Sequence, residues 1–326
     1  MFSLIVLVFV LPAIEVDSAR LTKVASEHSQ QSVYWEEQLK HATISGSRTM
    51  GGGRPDVRFT YSIDDARSCV HFKNESPKDG EALETVSVVT PQYLFRLIKK
   101  SKDSAYHIDS LELRDDSESN KATARIDFRK MLEMEVYSHS ATRAFDISVA
   151  EILNQNDWRV EGVQDTTGEN GNGDSTSNVK VTAKSSLKDD FYDKVSVILS
   201  PKNRYAVVSY EIHHKPEGLE GEYKSVKSGA VTYVNHDSES YLAQVSINQN
   251  TEGNGESFGS QWQATFDSFS SDCDEAVFTL SHYGLSDSLL EKPTNNRVWY
   301  LIAAVLSGSV CVVILVQRFR SNGQAF

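Results

Sequence analysis

Alternation with a period of two residues constrains this chain more than any other feature. In Val57–Ile63, Val57, Phe59, Tyr61 and Ile63 stand on one side and Arg58, Thr60 and Ser62 on the other. The same pattern recurs with Ala122, Ala124, Ile126 and Phe128, with Val179, Val181 and Ala183, with Tyr241, Ala243, Val245 and Ile247, and with Trp262, Ala264 and Phe266. Successive side chains of a strand point to opposite faces, so each stretch describes a strand with one dry and one wet side, as in an antiparallel sheet. Val195–Leu199 and Tyr205–Tyr210 are denser apolar runs and read as more central strands. Pro201-Lys202-Asn203 between them supplies a hairpin turn.

Few segments read as helices. Leu21–Ile44 scatters Val33, Tyr34, Trp35 and Leu39 among Glu and Gln, and predicts an N-terminal helix that ends before the Gly51-Gly52-Gly53 and Pro55 break. Thr90-Pro91 offers an N-cap with proline at the first helical position, and Leu94, Leu97 and Ile98 then line one side of a short helix to about Lys100, with an aromatic strand as the alternative. Ser148 and Glu151 form a capping-box pattern for Val149–Asn154. Asp165–Asn178 and Asn250–Ser257, rich in Gly, Asn and acids, read as loops. The acids of the first are spaced too irregularly for an EF-hand.

Both ends carry apolar segments. Val298–Val316 holds no charge and is flanked by Arg297, Arg318 and Arg320. As a helix it spans about 28 Å, close to the hydrocarbon thickness of a bilayer, with Trp299 and Tyr300 at the interface. Phe2–Ile14 is too short to span but fits the apolar region of a secretory signal, with Val16 and Ser18 before a cut at Ala19, although Met1–Ser3 lacks a basic residue. The expected organisation is a signal peptide over 1–18, an extracytoplasmic domain over 19–290, a juxtamembrane linker over 291–297, a transmembrane helix over 298–316 and a cytoplasmic tail over 317–326. Without the signal, the same span makes a tail anchor and leaves the body cytosolic; the balanced basic residues around the span do not decide. Ala303, Ala304, Ser307 and Gly308 give the span small residues at helix-packing spacing, a pattern common in spans generally.

Charge narrows the partners. With 33 basic and 45 acidic residues the chain has a formal net charge of −12, which argues against nucleic acid and anionic headgroups as partners. Cys311 falls within the span. Cys69 and Cys273 lie in the body and read either as one disulfide closing a long loop or as two unrelated buried thiols.

Signals of catalysis or metal binding are sparse. There is no H-E-x-x-H, no G-x-S-x-G and no P-loop, and GGGRP near residue 51 lacks the following G-K-[ST]. On a strand, His213 and His214 point to opposite faces and do not share a metal; a surface position is expected for each. Asp64-Asp65, Asp115-Asp116 and Asp189-Asp190 stand at strand ends, where turns and charged edges account for them. No enzymatic activity, cofactor or metal is expected.

Three segments carry a family resemblance. Thr90-Pro91-Gln92-Tyr93-Leu94-Phe95-Arg96-Leu97 resembles an Asn-Pro-x-Tyr-x-Phe-x-Leu element. Leu199-Ser200-Pro201 followed by Tyr205–Glu211 resembles a Leu-Asp-Pro hairpin leading into Tyr-Glu. Phe278–Leu285 resembles the start of an aromatic-Gly-Leu-Pro-Glu-Pro motif placed just before a C-terminal span, with Ser286-Asp287-Ser288 in place of Pro-Glu-Pro; Thr90 and Ser200 likewise replace the Asn and Asp of the other two elements. Together they resemble uncharacterised, signal-bearing, single-pass envelope proteins of planctomycete type. The resemblance implies an extracytoplasmic domain of the lipoprotein-carrier kind and no assigned activity.

The fold class expected is therefore mainly β (α+β): a curved antiparallel sheet or half-barrel covered by a few helices, plus one C-terminal transmembrane helix. An inner face collecting Phe59, Tyr61, Phe128, Val181, Tyr241, Val245 and Phe266 holds a lipid or apolar ligand in one reading and is a filled core in another. A structural or protein-interaction domain of the cell envelope is the remaining alternative. Its contact elements are then the two acidic loops.

Overall fold

The computed structural model describes residues 17–51, 57–75, 77, 80–113, 136–169, 175–187, 191–215, 223–236 and 239–290. The expected signal segment through residue 16, the expected strand around Phe128, and the expected linker, span and tail from residue 291 onward lie outside the described residues. Among the described residues no helix is long and apolar enough to cross a membrane. The chain divides into a unit over 1–284 and a second over 285–326. The described part of the second is the short run 285–290, with a 3-10 turn at Asp287–Leu290.

The first unit is built on one 13-stranded antiparallel sheet. After helix α1 (Ser18–Lys40), strands β1 (His41–Met50), β2 (Val57–Asp64), β3 (Arg67–Asn74), β4 (Glu84–Val89), β5 (Tyr93–Lys99) and β6 (His107–Leu113) form a meander. A tiny ribbon, β7 (Arg143–Ala144) and β8 (Ile147–Ser148), leads into helix α2 (Val149–Leu153). A second meander follows: β9 (Trp158–Glu169), β10 (Ser175–Ser185), β11 (Tyr192–Ser200), β12 (Ala206–His214), β13 (Lys224–His236), β14 (Glu239–Gly253) and β15 (Glu256–Ser270). β15 returns beside β1, so the two meanders fuse, and among the described residues β6 and β9 are the edges. The sheet is not closed into a barrel.

Helix α1 starts where the Asp17 carboxylate accepts the Arg20 N–H at 3.0 Å. Leu21, Val24, His28, Trp35 and Leu39 recur at helical spacing and are buried against the sheet. Helix α2 packs on α1 and adds Val149, Ile152 and Leu153 to the same core. Ser148 precedes α2 without a capping hydrogen bond, so the expected capping box is not formed. The helix-covered face of the sheet is apolar from Tyr61 and Val70 across to Val181, Val197 and Val245. The expected strands in Val57–Ile63, Val179–Ala183, Tyr241–Ile247 and Trp262–Phe266 all form, as does the Pro201–Asn203 turn, a 3-10 turn between β11 and β12.

Three expectations are corrected. The segment after Thr90-Pro91 is strand β5, not a helix. The Thr90 hydroxyl accepts the Gln92 and Tyr93 N–H groups, and the Thr90 N–H and hydroxyl both donate to the Tyr93 carbonyl at 2.8 and 2.9 Å, which folds a hairpin turn. Leu94, Phe95 and Leu97 are then buried on both faces, and a strand buried on both sides loses the alternation that distinguishes it from a helix. The second cover is the C-terminal coil. Phe278 and Leu280 are fully buried, Tyr93 donates to the Phe278 carbonyl at 3.0 Å, and Tyr283 stands edge-on to Phe95. Asp165–Asn178 is largely β-ribbon, with Asp165 opposite Val179 and Glu169 opposite Ser175. In Asn250–Ser257 only Asn254-Gly255 turns the chain, with φ of 51° and 81°, a two-residue hairpin with both turn residues left-handed.

Candidate functional site

Where β14 meets β15 the sheet splits. The two strands pair from Gly253↔Glu256 to Gln244↔Thr265 and no further. Beyond that point β14 follows β13 alone, from Leu242↔Tyr233 to Glu239↔His236, while β15 follows β1, from Phe266↔Gly46 to Ser270↔Thr43. A bulge flanks the fork on each side: Ala243 is skipped in the β13–β14 register and Asp267 in the β1–β15 register. Bulges bend a strand and re-aim its side chains. The strands diverge, and the last turns of α1 roof the gap.

The result is a cavity of about 360 Å³. Its walls are Trp35 and Leu39 from α1, Ile44 from β1, Tyr241 and Leu242 from β14, and Phe266 and Phe269 from β15. Gln38, His236, Asp267 and Ser268 supply polar groups. Tyr241 and Phe269 lie 5.2 Å apart, and Phe266 rests edge-on against buried Phe59 at 5.9 Å. Trp35 is held between Tyr34 and Tyr233, at 5.2 and 5.4 Å, and its indole N–H has no hydrogen-bond partner among the described residues.

The roof is tied down at several points. The Tyr34 hydroxyl accepts the Gln38 amide and the Ser240 N–H, which joins α1 to the start of β14. Arg204 lies over the Tyr34 ring at 4.0 Å. Burial pushes the Tyr34 phenol above its ordinary range. At the middle of the helix, His28 Nδ1 is 3.1 Å from the Tyr205 carbonyl, and burial holds the ring below the usual histidine value. Helix α1 is thus fixed to β12 and β14, and the space beneath its C-terminal half is a property of the folded frame.

The residues expected on the apolar inner face divide in two. Tyr241 and Phe266 line the cavity. Phe59, Tyr61, Val181 and Val245 are packed in the core and line nothing open. Phe128 lies outside the described residues. The sequence reading missed Trp35, Leu39, Ile44, Leu242 and Phe269. One signal was available: Phe266 and Phe269 are three apart, and two strand residues at that spacing share a face only across a bulge.

Cys69 and Cys273 are separate thiols in this structure. The buried Cys69 sulfur lies 3.5 Å from the Tyr283 hydroxyl, and burial pushes its pKa up to about 12; burial also raises that of half-buried Cys273. His213 and His214 do point to opposite faces, but only His213 is at the surface, 2.8 Å from Glu211. His214 is buried, because the β7–β8 ribbon and Phe191 cover that end of the sheet.

Two polar clusters on the first meander are internally satisfied. His41, Asp64 and Asp65 lie within metal-ligating reach of one another, yet Asp64 is paired with His41 and Arg67 at the turn. Glu84 accepts from Tyr106 and His71 with Lys99 nearby, and this holds its carboxyl below the usual range despite its partial burial.

No family model matches the sequence, and no curated protein matches it. Among solved structures, the chain is similar to an outer membrane lipoprotein-sorting type domain from Vibrio parahaemolyticus, with 8% identity and a TM-score of 0.37 over 81% of this chain and 97% of that one. It is similar to a DUF1329 family protein from Desulfovibrio piger, with 11% identity and a TM-score of 0.36 over 82% and 97%. It is also similar to a LolA superfamily protein from Nitrosomonas europaea, with 10% identity and a TM-score of 0.34 over 81% and 97%.

Proposed function

We propose that this chain is an extracytoplasmic, single-pass membrane-anchored binding protein that takes one acyl chain or a similarly slender apolar ligand in the fork between β14 and β15, without a cofactor and without catalysing a reaction. The observation that carries the reading is the fork itself. Two bulges hold a sheet open where continued pairing would have closed it, and aromatic and aliphatic side chains line the gap. A volume of 360 Å³ sits at the lower end of the range for small-molecule sites, about 300 to 1,000 Å³, which favours a single chain over a diacyl lipid. Gln38, His236 and Ser268 bring polar groups to the cavity wall. The uncharged segment 298–316 supports the anchor, and the apolar segment 2–14 supports export.

The test is organic extraction of the purified full-length protein followed by mass spectrometry, together with displacement of the hydrophobic dye anilinonaphthalene sulfonate by palmitate. The expected result is a co-purified apolar molecule and saturable displacement that Leu242→Trp, which fills the fork, abolishes. A wild-type protein that carries nothing and binds no dye refutes the reading and leaves the protein-interaction role. Protease protection on intact cells tests the topology: a shielded body refutes export.

A further inference from the structure

Far from the fork, the helix-covered face turns polar. Across β12, β13 and β14 the rows run Tyr210, Gly229, Ile247; then Ile212, Lys227, Gln249; then His214, Ser225, Thr251. Lys227 is 8% exposed and His214 5%. Among the described residues Lys227 has no ion-pair partner; its ammonium stands 3.4 Å from the centre of the Phe145 ring. Among the described residues neither ring nitrogen of His214 makes a well-formed hydrogen bond, although the Lys215 backbone acts on the ring. Beside them the Ser225 and Thr251 hydroxyls are 2.9 Å apart, and the Gln249 amide donates to Ser225 at 3.3 Å.

The cover over this cluster is strained. Phe145 opens the turn between β7 and β8 with φ of 59°, a region that favours glycine. Its neighbour Asp146 accepts the Tyr192 hydroxyl at 2.5 Å and is the negative charge that acts on both Lys227 and His214. Burial lowers the lysine pKa to about 8 and, with the nearby lysine charge, holds His214 below its ordinary value. A desolvated ammonium with a π face against it and Asp146 acting only from beyond ion-pair distance is incompletely compensated, and an arriving anion meets a charge already stripped of water.

We propose that this end of the sheet is a recognition site for a carboxylate group, with Lys227 as counter-charge, His214 and Ser225 as hydrogen-bonding neighbours and Phe145 as the cover that swings aside. Lys227 brings a single positive charge and Asp146 already opposes further negative charge, which favours a monoanion over a phosphate dianion. The site is separate from the β14–β15 fork, so each proposal stands or fails alone.

The test uses the full chain labelled at lysine, with the Lys227 side-chain resonances followed by NMR during titration with sodium acetate against sodium chloride at equal ionic strength. Acetate is expected to shift those resonances saturably and to raise the lysine pKa by about one unit, a tenfold preference for the charged form. Lys227→Met, which keeps the stem, is expected to lose any acetate-dependent rise in Tm. Phe145→Gly is expected to tighten acetate binding at least about threefold, since it removes both strain and cover. Octanoate separates the sources: equal affinity assigns a free small carboxylate, and markedly tighter binding assigns the head of an amphiphile. Wild-type lysine resonances unmoved by saturating acetate overturn the proposal even if Lys227→Met fails to fold. Phosphate binding as tightly as acetate overturns the carboxylate assignment, and Phe145→Gly without tightening overturns the covering role.

Discussion

Gly229 lies directly opposite Tyr210 on the buried face, and its φ is not in the left-handed region. Its conformation is therefore open to alanine, and a strand residue gains about 0.5–1 kcal/mol when glycine becomes alanine. Sterics reverse the sign. A Cβ at Gly229 would meet the Tyr210 ring at 2.1 and 2.2 Å and its hydroxyl at 2.5 Å, whereas ordinary contact begins at 3.4 Å. The ring would have to retreat by about 1.3 Å inside a packed core, where overpacking costs about 1–3 kcal/mol. Gly229→Ala should destabilise by about 1 kcal/mol net in equilibrium urea unfolding of the full chain followed by tryptophan fluorescence. Tyr210→Ala alone should cost about 3–5 kcal/mol through the cavity it leaves. In the double variant the new methyl enters that cavity, so the loss should fall short of the sum by about 2 kcal/mol. A neutral or stabilising Gly229→Ala, or a double variant additive to within about 0.5 kcal/mol, refutes the packing argument.

Gly46 sits opposite the β15 bulge, and a Cβ there would stand 2.1 Å from the Thr265 carbonyl oxygen and 2.7 Å from Phe59. Backbone cannot yield as a side-chain tip can, so Gly46→Ala should cost about 3 kcal/mol and weaken dye binding by displacing Phe59 from behind Phe266. Trp35→Phe forfeits no hydrogen bond, because the indole N–H makes none among the described residues, and should cost about 1–2 kcal/mol against about 3–5 for Trp35→Ala in the same unfolding assay. His28, His71 and His214 are all held below the ordinary histidine value, chiefly by burial. The unfolded chain then binds protons more readily than the native one, so stability is full above about pH 6.5 and is lost as pH falls through the folded values. The urea midpoint should drop on acidification, and His28→Gln should flatten that slope; a midpoint independent of pH between about 7.5 and 5 contradicts it.

Local signals reached the strands and stopped at their company. Tyr61, Val181 and Val245 alternate with polar neighbours, and alternation depends only on the pleat, so β2, β10 and β14 were legible from spacing alone. β5 was read as a helix because Phe278 and Leu280, far away in sequence, cover its second face and erase the alternation. The same limit applied to the sites. Alternation puts Tyr241 and Phe266 on one face, but which apolar residues border open space depends on where β14 and β15 part. That is settled by registers with β13 and β1, set by strands distant in sequence.

By itself the sequence determined the antiparallel β class, the N-terminal helix, the turns at Pro201–Asn203 and the acidic balance, because each follows from local backbone geometry or from simple charge. Only the tertiary structure decided that Tyr61 and Val245 pack while Phe266 faces a cavity, that His214 is buried while His213 is not, and that Lys227 lies beneath Phe145 without an ion-pair partner among the described residues. Burial, desolvation and strand register are properties of the assembled sheet, and no single segment carries them.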